Sequence, residues 1–158
     1  MNNLFENYGN YQIKEIYGEQ YKKFIPFALE KSDYFILVKR IDMPCDDTID
    51  ELLEKLEPYL INVYKQKSWA NTQLRDSSAF VFYYHSYMEC GSILLEYADN
   101  MFDWQQPRLL EDLSFYKEEN KLWVSNTAHE EELYMEKVSN EEKSKLRMMG
   151  IRLKNIRG

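Results

Sequence analysis

The sequence predicts an α+β fold: a single domain with one mixed sheet of about five strands and helices packed mainly on one face. Three observations predict it. Two short, β-prone apolar runs, 34–38 (YFILV) and 79–85 (AFVFYYH), alternate with helical stripes in the first two-thirds of the chain. The last third places strands back to back across tight polar turns. No internal repeat or low-complexity linker divides the 158 residues, which suffice for one buried core.

Taken in order, residues 1–9 are polar and Asn-rich and are expected to be loosely held. Ile13, Ile16, Tyr17, Tyr21, Phe24 and Ile25 then fall at helical spacing, predicting a helix over 11–25. Pro26 ends that helix or opens a further turn over 27–31. The run 34–38 suits a central strand buried on both faces. A turn containing Pro44 comes next. Ile49, Leu52, Leu53, Leu56, Leu60, Val63 and Tyr64 form the clearest helical stripe. Asp46 or Asp47 can cap this helix, and Pro58 either kinks it on the polar side or starts a second one. Its outer side is acidic, with Asp46, Asp47, Asp50, Glu51, Glu54 and Glu57. A solvated helix face is the ordinary reading of such a run.

Residues 68–78 read as a loop in which Trp69 plugs the core. In the strand 79–85, Phe80, Phe82 and Tyr84 share one face; Ala79, Val81, Tyr83 and His85 share the other. A third helix, capped by Ser92, carries Ile93, Leu94, Tyr97, Ala98, Met101 and Phe102, with Glu96, Asp99 and Asp103 pointing away. The stretch 104–131 is the densest run of unusual residues. It reads as a turn at Pro107, a strand over 113–117, a polar turn over 118–121 and a strand over 122–127, closing on an acidic knot after His129. Trp123, Ser125, Thr127 and His129 fall on one face of it; Leu122, Val124, Asn126 and Ala128 fall on the other. Residues 133–138 read as another strand. Ser139 and Glu142 form a capping box for a last helix, with its stripe continuing through Leu146, Met149, Leu153 and Ile156.

The net charge is −7. Residues 143–158 carry six basic side chains (Lys143, Lys145, Arg147, Arg152, Lys154 and Arg157) and no acid, so the rest of the chain carries −13. This basic C-terminal segment is expected to dock on the acidic body of its own chain; the alternative is that it reaches an acidic partner or a membrane surface. An acidic body repels phosphates and disfavours direct nucleic-acid binding; it favours a basic protein partner. Thirteen tyrosines, apolar in body and polar at the tip, suit a wet interface or the rim of a core. The cysteines, Cys45 and Cys90, have no metal or redox spacing, and no apolar run reaches transmembrane length. The expectation is a cytoplasmic protein with free thiols, no membrane partner and no cofactor.

No catalytic signature stands out. His85 and His129 are the only histidines, and neither sits in a metal-ligand spacing. No glycine loop for phosphate is present. Cys90 precedes a predicted helix N-terminus, which would lower a thiol pKa, but nothing in the sequence brings His85 to it.

The run Leu110-Glu111-Asp112-Leu113-Ser114-Phe115-Tyr116, then Trp123, then Ser125 to His129-Glu130, resembles a group of small uncharacterised bacterial proteins. They carry a P-E-D-L-x-F-Y … W … S-x-x-H-E segment. Asp33-Tyr34-Phe35, Ser68-Trp69 and Asp103-Trp104 are similar as well, so the resemblance spans about 33–130. Leu110 departs from it, standing where the group has Pro. The resemblance implies, by association with toxin, phage and mobile-element loci, an accessory protein of immunity or inhibitor type.

The leading expectation is therefore a non-catalytic acidic module that occludes a basic surface of a toxin or effector. Asp103, Trp104, Glu111, Asp112, Trp123, His129 and Glu130 are its candidate contact residues. The alternatives are a small enzyme with a His–carboxylate site around His129, and a homodimeric scaffold joined through its Tyr-rich strands; the chain is expected to be a monomer or a homodimer.

Overall fold

A computed structural model describes residues 8–156. Ten strands and four α-helices come in the order β1 (Gly9–Ile13), α1 (Glu19–Lys31), β2 (Tyr34–Arg40), α2 (Asp47–Leu56), β3 (Leu60–Gln66), β4 (Ser68–Trp69), β5 (Thr72–Gln73), β6 (Ala79–His85), α3 (Cys90–Tyr97), β7 (Glu111–Lys117), β8 (Lys121–Thr127), β9 (Glu132–Val138), α4 (Asn140–Met148) and β10 (Leu153–Asn155). The α+β class holds. The sheet is larger than predicted and differs in kind. It has eight strands in the order β10-β1-β9-β8-β7-β2-β6-β3, and every neighbouring pair is antiparallel.

The reason it is not mixed lies in the helical connections. Each joins strands that are not neighbours: α2 carries β2 to β3 across β6, α3 carries β6 to β7 across β2, and α4 carries β9 to β10 across β1. A strand of opposite direction fills each gap. The stretch from β2 to β7 thus has β-α-β-β-α-β order with its strands arranged β7-β2-β6-β3, the split βαβ arrangement of ferredoxin-like folds. β8, β9, β1 and β10 extend that unit along the β7 edge, and β4 and β5 form a separate two-stranded sheet.

Helices pack on one face only. Their buried residues, among them Tyr21, Phe24, Ile25, Ile49, Leu52, Leu56, Leu94 and Leu146, join Phe35, Leu37, Phe115 and Met135 of the sheet in the main core. The opposite face has its own small core of Ile36, Val38, Ala79 and Val81, to which no helix contributes. Trp69 closes that core from the β4–β5 hairpin, the plug expected of it. β2 is the strand whose residues 35–38 are buried on both sides, as its unbroken apolar run predicts.

Five local expectations give way. The helix predicted from Tyr11 begins only at Glu19: Tyr11 and Ile13 alternate with Gln12 in β1, and Gly18 turns the chain at φ +60°. That helix then runs through Pro26 without a break. The helical stripe assigned through Tyr64 stops at Leu56, because a 3-10 turn with Pro58 in it leads into β3. The third helix ends at Tyr97, and Met101 and Phe102 lie in a separate 3-10 turn. The last helix keeps its predicted capping box but stops at Met148; Gly150 adopts φ +85°, and beyond it β10 pairs with β1. Of the basic C-terminal segment, residues 153–155 with Lys154 thus pair at the sheet edge, and Arg157 lies outside the described residues. Of the stretch 1–9 expected to be loosely held, residues 1–7 lie outside the described residues and Gly9 opens β1.

Candidate functional site

The most concentrated polar group in the interior lies where β7 starts. Side chains of consecutive strand residues normally point to opposite faces. Here the pairing with β2 slips between Ile36 and Val38, and Asp112 takes φ +57°. Both Glu111 (1 % exposed) and Asp112 (4 % exposed) are buried. Glu111 Oε1 accepts from the Gln106 backbone N–H at 2.7 Å and contacts His129 Nε2 at 2.8 Å. Asp112 accepts from Trp69 Nε1 at 3.0 Å and from the Ala128 N–H at 2.9 Å. The Gln106 side chain accepts from Arg40 N at 2.7 Å and donates into the turn that holds Met43, Pro44 and Cys45. Burial pushes both carboxyl groups up from their ordinary range, against these donors and the His129 ring, which pull the other way.

The structure therefore divides the seven predicted contact residues. Four are internal and are not contact residues in this conformation. Glu111 and Asp112 tie β7 to the turn before it and to the β4–β5 hairpin. Trp104 (0 % exposed) donates from Nε1 to the Tyr21 hydroxyl at 3.1 Å, which itself donates to Leu94 O at 2.7 Å. Trp123 (1 % exposed) packs on Phe27, ring centroids 5.7 Å apart, with Lys117 Nζ 4.6 Å from its ring. Large aromatic rings beside a sheet are core material first; sequence alone does not separate that use from a contact role. Asp103 is partly exposed and accepts from the Asp99 N–H at 3.1 Å; burial and Asp99 raise its carboxyl pKa. His129 and Glu130 are exposed on a 3-10 turn between β8 and β9.

Glu111 and His129 make a hydrogen-bonded dyad, the one geometric feature that favours chemistry at His129. Among the described residues no group of three or more His, Cys, Asp or Glu side chains is placed to hold a metal ion. Cys90 is buried, and its Sγ reaches the His85 carbonyl at 3.5 Å rather than the imidazole, which stacks on Tyr87 at 4.8 Å. Burial pushes the Cys90 thiol up to about 11, overriding the lowering expected at a helix start.

Two surfaces that the predicted set largely missed stand out. The first is the outer side of the helical layer. All six carboxylates of the acidic run, Asp46, Asp47, Asp50, Glu51, Glu54 and Glu57, are exposed. α3 packs beside α2 and brings Glu96 alongside, where Lys55 pairs with Glu96 at 2.9 Å and with Glu51 at 3.4 Å. Lys55 is the only cation on α2. The Tyr97 hydroxyl donates to Glu51 at 2.7 Å, which, with Lys55, holds that carboxyl below its usual range. At the far end of the pair Tyr59 meets Tyr87 edge-on at 6.3 Å, and Tyr87 and Met88 are about half exposed.

The second is a row of tyrosines on the helix-free face. Tyr64, Tyr83, Tyr34 and Tyr116 come from β3, β6, β2 and β7, four adjacent strands, in that order. Their ring centroids are 5.7, 5.7 and 4.8 Å apart in turn. A hollow of about 530 Å³ beside the row is also lined by Asp33, Ile61, Asn62 and Asn120. Burial pushes the Tyr34 and Tyr116 hydroxyls up to about 12. Nucleic-acid readers with a four-stranded sheet use aromatic faces on that sheet to stack bases. Here Tyr34 and Tyr116 are parallel within 6° and cover each other's faces, and Asp33 borders the row. The row offers ring edges and amides, which suit a protein surface better than a base.

Comparison of the chain with family models, with curated proteins and with solved structures gave no match.

Proposed function

We propose that the protein is a non-catalytic protein-binding module, an immunity or inhibitor protein whose acidic helical face occludes a basic surface of a partner such as a toxin or effector. The observation that supports this reading is the outer side of α2, where six exposed carboxylates, joined by Glu96 of α3, are balanced on the helix by Lys55 alone. Negative potential gathered on one face steers a cationic partner and raises the encounter rate. Tyr87 and Met88, half exposed next to α3, add apolar contact area. Asp103, His129 and Glu130 remain at the surface as secondary contacts. The inhibitor role itself rests on the resemblance of the 110–130 segment. The alternative, an enzyme centred on His129, draws on the Glu111 dyad alone, in which the buried acid also accepts from the Gln106 N–H.

Charge reversal at Asp50 and Glu54 tests the proposal. Immobilised protein is expected to capture a basic protein from an extract of the source cells, with an association rate that falls as salt rises. The double variant Asp50→Lys/Glu54→Lys, at unchanged melting temperature, is expected to associate at least about tenfold more slowly. The captured protein's activity should be blocked by wild type and much less by the variant. An association rate indifferent both to salt and to these two residues would remove the steering role of α2.

A further inference from the structure

We infer that β3 is a dimer interface, at which a second copy of this chain adds its own β3 antiparallel and joins two eight-stranded sheets into one. A strand with one free edge presents a row of unsatisfied backbone groups, and proteins usually shorten, charge or cover such an edge. The two edges of this sheet differ. β10 is three residues long with Lys154 at its centre. β3 is seven residues long, contains no proline and no acid, and exposes Ile61 (46 %) and Tyr64 (52 %).

Its sequence is complementary to itself. Pairing with β6 slips between Leu60 and Asn62 and is regular from Asn62 to Gln66. An antiparallel copy centred on that regular stretch places Tyr64 against Tyr64 of the second copy on the two-fold axis. Asn62 then faces Gln66, amide to amide, and Val63 faces Lys65. The tyrosine row continues across the axis without a break. The charges flanking the strand agree with the same arrangement. Glu54 and Glu57 precede it, and Lys65 and Lys67 close it. Glu57, Lys65 and Lys67 have no ion-pair partner among the described residues. Only an antiparallel copy brings the lysine end of one strand to the glutamate end of the other, a closed two-fold contact of the commonest kind.

The sheet edge carries this inference, and its Tyr64 variants leave the acidic run of α2 untouched, so the two readings fail separately. Sedimentation and light scattering on the full chain test it. Wild type is expected to be a dimer that dissociates on dilution. Tyr64→Lys sets two cations face to face on the axis and should weaken dimerisation at least about tenfold. Its far-ultraviolet circular dichroism should be unchanged, since Tyr64 is half exposed. Lys67→Glu should weaken the dimer, and the added change Glu57→Lys should restore it. In a Cys45→Ser background, Tyr64→Cys should form an intermolecular disulfide on mild oxidation. Wild type that stays monomeric at high concentration, including one that takes up only a foreign strand, overturns the inference. So does a Tyr64→Lys variant that dimerises as tightly as wild type.

Discussion

A carboxylate taken out of water must be solvated by protein dipoles or lose its charge. Glu111 shows both tendencies: the Gln106 N–H donates to it and His129 Nε2 lies within hydrogen-bond distance, yet burial raises its carboxyl pKa. A raised folded-state pKa means that the group's contribution to stability is fully present below the ordinary carboxylate pKa of about 4 and is lost as pH rises through the raised value. Glu111→Gln keeps an acceptor for the Gln106 N–H and carries no charge. Urea titrations at several pH values are expected to show its stability gaining on wild type as pH rises from about 4 to 7. Glu111→Ala leaves the buried Gln106 N–H without an acceptor and should cost about 2 kcal/mol or more at every pH. This cluster is only half legible in the sequence. The segment around Glu111, Asp112 and His129 stands out, but its acids look like surface charge. The left-handed turn at Asp112, which helps bring two neighbouring carboxylates inside, has only a weak signature, Asp being among the residues that accept positive φ more readily.

At the scale of elements, legibility depends on whether the pattern has one period or two. β2 and β6 read clearly because their apolar runs are unbroken, and the Ser139–Glu142 capping box is a local signal that the structure repeats as such. β1 and β3 do not. Tyr11 and Ile13 fit a two-residue spacing and also a helical spacing with Ile16, Tyr17 and Tyr21; Val63 and Tyr64 continue the stripe of Leu56 and Leu60 in the same way. Gly18 and the Pro58 turn decide these cases. At Gly18 a Cβ would meet nothing within 4 Å, so Gly18→Ala costs what its backbone imposes: φ +60° with ψ −129° lies outside the left-handed helical region and is open essentially to glycine, a cost of about 1–3 kcal/mol. Gly91, inside α3, has ordinary helical dihedrals, and its Cβ would sit 3.5 Å from Leu29 Cδ1. Gly91→Ala is expected to be neutral or stabilising. Thermal denaturation of the two variants, which should move in opposite or clearly unequal directions, checks the assignment of the first turn.

At the scale of the whole molecule, the sequence understates the sheet because three of its strands are brief or look helical, and nothing local announces that a C-terminal strand will return to pair with the first. The topology adds a molecule with two unlike sides. One is thick, helical and acidic; the other is a bare sheet with a small hairpin over part of it. The three tryptophans are distributed between them. Trp104 and Trp123 sit in the helix-side core, and Trp69 alone seals the other. Since all three indoles are shielded from water, the folded protein should glow at short wavelength, and a phenylalanine at position 69 would leave an emission blind to the hairpin. Comparing the two spectra during denaturation would then reveal whether the hairpin lifts before the body melts, with no label attached.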